Sequence, residues 1–552
     1  MHNSAGNAIG VDQQALWGGC APASRIASVA ALLVALSACG SSPDLSVEQA
    51  VARITADGLR THVSVLAHDS MRGRDTGDIG YERARDYVAR EFERIGLEPI
   101  DGDSYMQPFD LLEVVSDRGS RLRVGADAFE FPDVIVAPDW TGETPMLSAE
   151  GVYVGNGLVT GEVGAQNAAV LDGKIAFVLA GAPDGRADEP EIAMRERAEV
   201  ELAHRAGAVA VVVLNPDASE RAWTARANPR RPTRALLDGS TPSPRAAVSV
   251  GPSASKRLID LWGVRDVLGA DGVDVGVVTV EPRHEIREVR SWNVAGMWPG
   301  VDPSTSGEAV VFTAHLDHVG VGPPDENGDS IYNGTHDNAL GVAKVLGVAE
   351  AVMGARLRRS IVFLATGAEE SGLLGAWHYV NNPVVPLERT VAAINHDGGL
   401  VGGRTDDVFA WGPEFSTIEE DVARAATETG MVLSADKSDP FGPSAGLLYR
   451  SDHYPFLISG VPVVYLMPGF SVDGDRERGR RAWQDYLATI HHVQADNFDD
   501  GAPYESPVAL TSLSVRLAWR LASADGMPQT HDDAPITRTR GKPTGFFFGE
   551  SM

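Results

Sequence analysis

Imidazole and carboxylate side chains recur where the apolar runs of this sequence end. "EAVVFTAHLDH" closes on His315, Asp317 and His318, "SIVFLATGAEE" on the adjacent carboxylates Glu369 and Glu370, and "TVAAINHD" on Asp397. Asp337 stands in a glycine-containing loop, "YNGTHDNALG", at the mouth of a helical pattern, and "IHHVQAD" supplies His491, His492 and Asp496. A single histidine at a strand end is ordinarily structural, because neutral imidazole is tolerated in half-buried places. Such residues at successive strand ends have the chemistry of a metal centre, since nitrogen and oxygen donors of these types hold divalent ions. The Glu369–Glu370 pair sharpens the point. Two like charges at the end of a buried strand repel, and burying either is unfavourable unless a cation stands beside them.

These residues need strands to carry them. From 275 to 524 the chain alternates strand and helix, with "EAVVFTAH", "SIVFLATG", "TVAAINHD" and "VPVVYLMPG" as strands. In "NALGVAKVLGVAEAVM", Val342, Val345, Leu346, Ala349, Val352 and Met353 share one helical face. The alternation predicts an α/β fold, a mostly parallel (mixed) sheet with helices on both faces, whose ligands gather outside the carboxyl ends of the strands. Residues 47–97 read as helical: Ala84, Tyr87, Val88, Phe92 and Ile95 recur at helical spacing and Gly96 stops the helix. From about 118 the texture changes to short Val-rich runs between Gly, Pro and Asp, as in "VYVGNGLVTGEV", "GKIAFVLAG" and "GAVAVVVLNPD", with one helix, "AMRERAEVELAHRAG". Within that region "RANPRRPTRALL" reads as a solvated basic loop.

The 552 residues suffice for two or three domains, and 43% hydrophobic with 22% charged content is ordinary for a globular protein. Acidic residues outnumber basic ones, 76 to 47, giving a formal charge of −29. That field disfavours nucleic acid and anionic membrane surfaces and attracts cations. Arg25 precedes an apolar run, Ile26 to Ala38, too short to span a bilayer and shaped like a secretory signal. It ends in "LSAC", which resembles a bacterial lipoprotein signal and implies cleavage before Cys39 and a lipid on its sulfur. Cys20, the other cysteine, lies in the segment removed, so the mature body carries no disulfide.

With these motifs in order the chain resembles the zinc aminopeptidase family that contains bacterial leucine aminopeptidases and the glutamate carboxypeptidases. The resemblance rests on His315-x-Asp317, Asp337-Asn338 opening a Gly-containing helix, "GAEESG", Asn395-x-Asp397, His492-x-x-x-Asp496 and "RSDHYPFLISGVPVVYL". It implies a phosphorylase/hydrolase-like zinc exopeptidase domain at 47–117 and 275–525, with a β-rich protease-associated insert at 118–274. A lipoprotein signal at 1–38, a tether at 39–46 and a loosely ordered tail at 526–552 complete the expected organisation. The implied cofactor is two Zn2+ ions. Asp337 would bridge them, Glu370 and His492 would complete one, and His315 and Asp397 the other. Asp317 would orient His315 through its other ring nitrogen. Neighbouring side chains on an extended or turning backbone point different ways, so Glu370 can face a metal while Glu369 faces the cavity as general base.

Three positions depart from the family pattern. His336 stands where Ala or Asp is frequent and reads as facing solvent, Leu340 stands where a small residue is usual and affects packing, and His491 precedes His492 where relatives often have Tyr. His491 and Tyr449 are candidates for contact with the developing oxyanion, and Asp452 and His453 for the pocket wall. The function implied is an exported, membrane-anchored aminopeptidase that removes N-terminal residues from peptides through a metal-bridging water. The rival enzyme is a carboxypeptidase or dipeptidase for acidic residues, which would need arginines such as Arg450 at the cleft. A glutaminyl cyclase fits less well, since cyclases of this superfamily usually lack the insert. A non-catalytic surface binding protein of the same fold is disfavoured because all five ligands and Glu369 are present.

Overall fold

The computed structural model describes residues 44–532 and 534, apart from 117, 137–145, 156–167, 181–199, 201, 221–222, 225–226, 228–231, 238–245, 265–271, 400–402 and 435–446. Cys39, the whole signal segment and most of "AMRERAEVELAHRAG" lie outside them. Asp44–Met552 clusters as one unit.

A ten-stranded sheet carries the motifs. Its centre is four parallel strands in the order Val463–Pro468, Thr390–Asn395, Ala309–His315, Ser360–Thr366. Every residue of these strands is buried, as a sheet covered on both faces requires. Alternate side chains serve different cores. Phe312 and Phe363 face a layer holding helices Ala56–Leu66, Leu340–Val352 and Glu505–Ser523, while Val311 and Val362 face helices Leu374–Asn381 and His453–Ile458. The sheet is more mixed than expected. Its wings are antiparallel: Asp407–Trp411 on one side, and His284–Trp298 followed by Met106–Ser116 on the other. Helix Leu340–Val352 is buried nearly all round, with Leu340 in the core and Met353, expected on the apolar face, 40% exposed past its end. Helix Ile79–Ile95 starts at Asp78, whose side chain accepts from Gly80 N, and stops at left-handed Gly96.

A second, eight-stranded sheet spans Arg121–Val124 to Val273–Glu281. It has its own apolar clusters around Phe177, Val212 and Val248 and around Val178 and Val213. It runs past the expected close at 274, because Val273–Glu281 pairs with Leu147–Gly155 and Arg121–Val124. The two sheets share chain. Strand Thr233–Leu236, drawn from the middle of the expected insert, pairs with Leu111–Val114 at the edge of the ten-stranded sheet. Arg234 on that strand is buried rather than solvated. Its guanidinium donates to Asp75, Glu113 and Ser371, and the two carboxylates offset the penalty of burying it.

Candidate metal centre

Three neighbouring parallel strands end at one edge of the sheet, and that edge assembles the site. His315 is the last residue of Ala309–His315, Glu369 and Glu370 follow Ser360–Thr366, and Asp397 follows Thr390–Asn395. Parallel direction alone brings these ends together. Asp337 arrives from the turn that opens helix Leu340–Val352, and His492 from the loop after helix Arg476–Thr489. Gly341 lets that turn close: a Cβ there would lie 2.0 Å from Asn338 Oδ1 and 2.4 Å from His396 O.

The side chains form two adjoining donor groups. His315, Glu369 and Asp397 make one, and His318, Asp337, Glu370 and His492 the other. Asp337 reaches into both. Its Oδ1 is 3.3 Å from His315 Nε2 and its Oδ2 2.9 Å from His492 Nε2. His315 Nε2 is 3.0 Å from Asp397 Oδ1, and His492 Nε2 is 3.2 Å from Glu370 Oε1. Imidazole nitrogens and carboxylate oxygens at such spacings fit two zinc ions sharing one carboxylate. A further group, His62, Glu91 and Glu350, sits at the other end of helix Leu340–Val352, where Arg94 already bonds both glutamates.

The bracing differs from the expectation in two places. Asp317 does not hold His315 by its carboxylate. Its main-chain oxygen meets His315 Nδ1 at 3.1 Å, while its carboxylate accepts the main-chain N–H groups of Glu369 (3.0 Å) and Glu370 (3.3 Å). The strand has ended by Asp317, so its side chain is free to cross to the turn after the adjacent strand. His336 does not simply face solvent either. Its Nδ1 is 2.6 Å from Asp496 Oδ1, and the buried Asp496 carboxylate also accepts the N–H groups of His336 and Asp337. Asp496 therefore holds the loop that delivers Asp337.

Two buried cations, Arg74 and Lys344, brace the loops around the site. Arg74 is wholly buried and donates to four main-chain oxygens, those of Leu66, Leu316, Asn333 and Gly334. It thereby ties the loop after His315 to the loop before Asp337. Lys344 donates to Gly398 O at 2.8 Å, next to Asp397. The only advance sign of either was a charged residue inside an apolar helix, for Lys344, and a glycine-flanked arginine, for Arg74.

The site is rich in negative charge held out of water. Burial pushes Glu369 well above the usual carboxylate range, opposed by His315 and reinforced by Asp397 and Glu370. Burial likewise lifts Asp317 to about 7 and Asp452 to about 6. Burial opposes ionisation of Asp337 too, but its bonds to His315 and His492 win and hold it well below the usual range. Burial lowers a charged histidine, yet Glu370 and Asp337 drive His492 up to about 10. Burial brings Arg74 down to about 10 and Lys344 to about 8. A pocket that draws protons onto its histidines is one that favours bound cations.

The weaker candidates separate. His491 stacks on His492 with ring centroids 4.0 Å apart, and its Nε2 is 3.6 Å from Asp337 Oδ2. Asp452 and His453 are fully buried: Thr366 donates to Asp452, and His453 stacks on Tyr465, whose hydroxyl donates to the main-chain oxygen of Asp397. They open the short helix His453–Ile458. Tyr449 is 38% exposed and packs edge-on against Tyr454.

Residues 293–515, the stretch that holds all seven residues of the two adjoining donor groups, match peptidase family M28. The leupeptin-inactivating enzyme 1 of Streptomyces exfoliatus is 30% identical over 181 residues, 32% of this chain and 36% of that protein. A probable leucine aminopeptidase 2 of Aspergillus oryzae is 24% identical over 435 residues, 77% of this chain and 75% of that one. The match thus spans about a third of the length of the first relative. The aminopeptidase from Aneurinibacillus sp. strain AM-1 has the same fold, with a TM-score of 0.56 at 18% identity over 89% of this chain and all of that one.

Proposed function

We propose that the protein is a dizinc exopeptidase, and specifically an aminopeptidase. The observation that carries this is Asp337 facing two donor groups at once, one through each carboxylate oxygen. Asp337 is assigned to both ions, His315 and Asp397 to one, and Glu370 and His492 to the other. When bound, zinc supplies Lewis acidity and lowers the pKa of water.

The chain supplies positioning and proton transfer. Asp317 fixes the main chain of Glu369 and Glu370. Glu369 belongs to the donor group with fewer protein ligands, and its environment raises its proton affinity. It takes a proton from water and delivers it to the leaving amine. His491 is the residue assigned to contact the substrate carbonyl. The rim favours a cationic substrate end. Arg74 and Arg234 are spent on four carbonyls and on two carboxylates respectively, and neither is placed to receive a substrate carboxylate. The name of one relative, a probable leucine aminopeptidase 2, supports the same direction.

The eight-stranded sheet is read as the protease-associated insert, and strand Thr233–Leu236, which comes from the same stretch of chain but pairs at the edge of the peptidase sheet, supports a fixed position beside the site. Cys39 is read as the lipidated residue of an exported, membrane-anchored protein. The deciding experiment for the activity is a dipeptide panel with zinc counting. Free dipeptides and their C-terminal amides should be cleaved, and N-acetyl dipeptides at least about tenfold more slowly, roughly 1.4 kcal/mol. Tolerance of acetylation with loss on amidation would move the protein to the carboxypeptidase reading, with Arg450 as the first residue to replace.

A further inference from the structure

His318 belongs to none of the assigned roles, yet it is fully buried at the centre of the site. Its Nδ1 is 2.9 Å from Glu370 Oε1 and 3.8 Å from Asp337 Oδ2. His492 Nε2 approaches the same two oxygens, at 3.2 and 2.9 Å. Two imidazoles and two carboxylates therefore alternate around one point. Nitrogen and oxygen donors about 2.0–2.1 Å from a tetrahedral zinc are separated by about 3.3–3.4 Å, and the four measured edges scatter around that length. The rings of His318 and His492 meet edge to face, centroids 5.4 Å apart at 69°, so they converge rather than stack.

The ring is fixed in this place. A Cβ on Gly334 would lie 2.5 Å from His318 Cδ2, so the loop before Asp337 closes directly over the imidazole. The main-chain N–H of His318 donates to Arg74 O. Among the described residues Nε2 has no hydrogen-bond partner. All the polar bonding of this buried side chain thus falls to Nδ1, and a lone hydrogen bond to Glu370 would leave its approach to Asp337 unexplained.

We propose that His318, through Nδ1, is a fourth protein ligand of the ion held by Asp337, Glu370 and His492. The inference rests on the dizinc reading and deepens it. It makes the two positions unequal. One is closed by four protein donors, as structural zinc sites are, while the other keeps three and an open place, as catalytic sites do. The open place for substrate and water then lies at the position of His315 and Asp397, in place of the expected water shared equally by both ions.

The test uses the full chain loaded with cadmium and followed by cadmium NMR, with chelator titration alongside. Wild-type protein should show two resonances. In His318→Ala one should hold its position, while the other shifts as water replaces nitrogen, and that ion should be lost at a chelator concentration at least about tenfold lower. His318→Asn separates ligand from hydrogen-bond donor, because an amide N–H can still donate to Glu370 but does not bind the metal as imidazole does. Failure of Asn to restore the resonance supports the proposal, and full restoration overturns it. Should the variants not fold, histidine nitrogen-15 spectra of zinc-loaded wild type decide: a proton on His318 Nδ1 overturns the proposal, and its absence with a metal-shifted nitrogen supports it. A wild-type chain that binds no metal would instead remove the dizinc reading itself.

Discussion

The two donor groups are built by different means. His315, Glu369 and Asp397 ride on the ends of three adjacent parallel strands, buried along their whole length on both faces. In the other group Glu370 follows one of those strands; Asp337, His492 and His318 come from turns and loops, and His492 itself sits at a positive φ of 56°. The strand-borne group inherits its geometry from main-chain ladders and core packing. The loop-borne group has no ladder, so it borrows rigidity from buried charges: Arg74 on four carbonyls, and Asp496 on two amides and His336. One half of a two-ion centre can thus be set by secondary structure and the other by polar struts, at the same edge of the same sheet.

The largest expected effect removes the distinction altogether. Asp337→Ala takes the shared carboxylate from both groups, so both ions and essentially all activity should be lost together. His315→Ala should lose mainly the strand-borne ion. Metal counting on the two purified variants checks this, and equal loss in both would argue against a bridging Asp337. Next comes Glu369→Gln, which keeps a side chain of the same shape without a basic oxygen. Turnover should fall by about a hundredfold or more with both ions retained. A near-normal rate would assign the base elsewhere.

Arg74→Met sharpens the contrast in bracing. It strands four buried carbonyls, each an unfavourable loss of about 1–3 kcal/mol. The loop-borne ion should therefore become labile before the strand-borne one, and thermal stability should drop in the metal-free protein as well. Simultaneous release of both ions would mean that Arg74 supports the whole edge. The smallest effect expected is for His336→Ala. Asp496 would keep its bonds to the His336 and Asp337 amides, so activity should change by less than about tenfold and stability by about 1–2 kcal/mol. A larger loss in the affinity of the loop-borne ion would make His336 a principal strut rather than an accessory one.

How much of this was legible in the sequence follows the same division. The strand-borne residues announce themselves, because an apolar run that stops on His, Glu or Asp fixes both the strand and the place of the polar side chain. The helix of Ile79–Ile95 was equally readable, with its apolar spacing and Gly96 stop. His318 was visible in "HLDH" but not distinguishable from a structural histidine, since only the convergence of two remote loops gives its ring a common target with His492. The burial of Arg234 is not legible in the sequence for a related reason. A basic stretch looks solvated until the chain returns a strand to the edge beside Asp75 and Glu113.

The sequence by itself determined the donor types, their order, and the alternation that places strand ends at one edge, because these depend on local periodicity and on parallel pairing. Only the tertiary structure decided which carboxylate faces which imidazole, that Asp317 meets His315 through its main-chain oxygen and gives its carboxylate to the Glu369–Glu370 turn, and that Asp452 and His453 are buried. Those outcomes turn on distances of a few ångströms between residues far apart in the chain, set by how buried charges find partners once water is excluded.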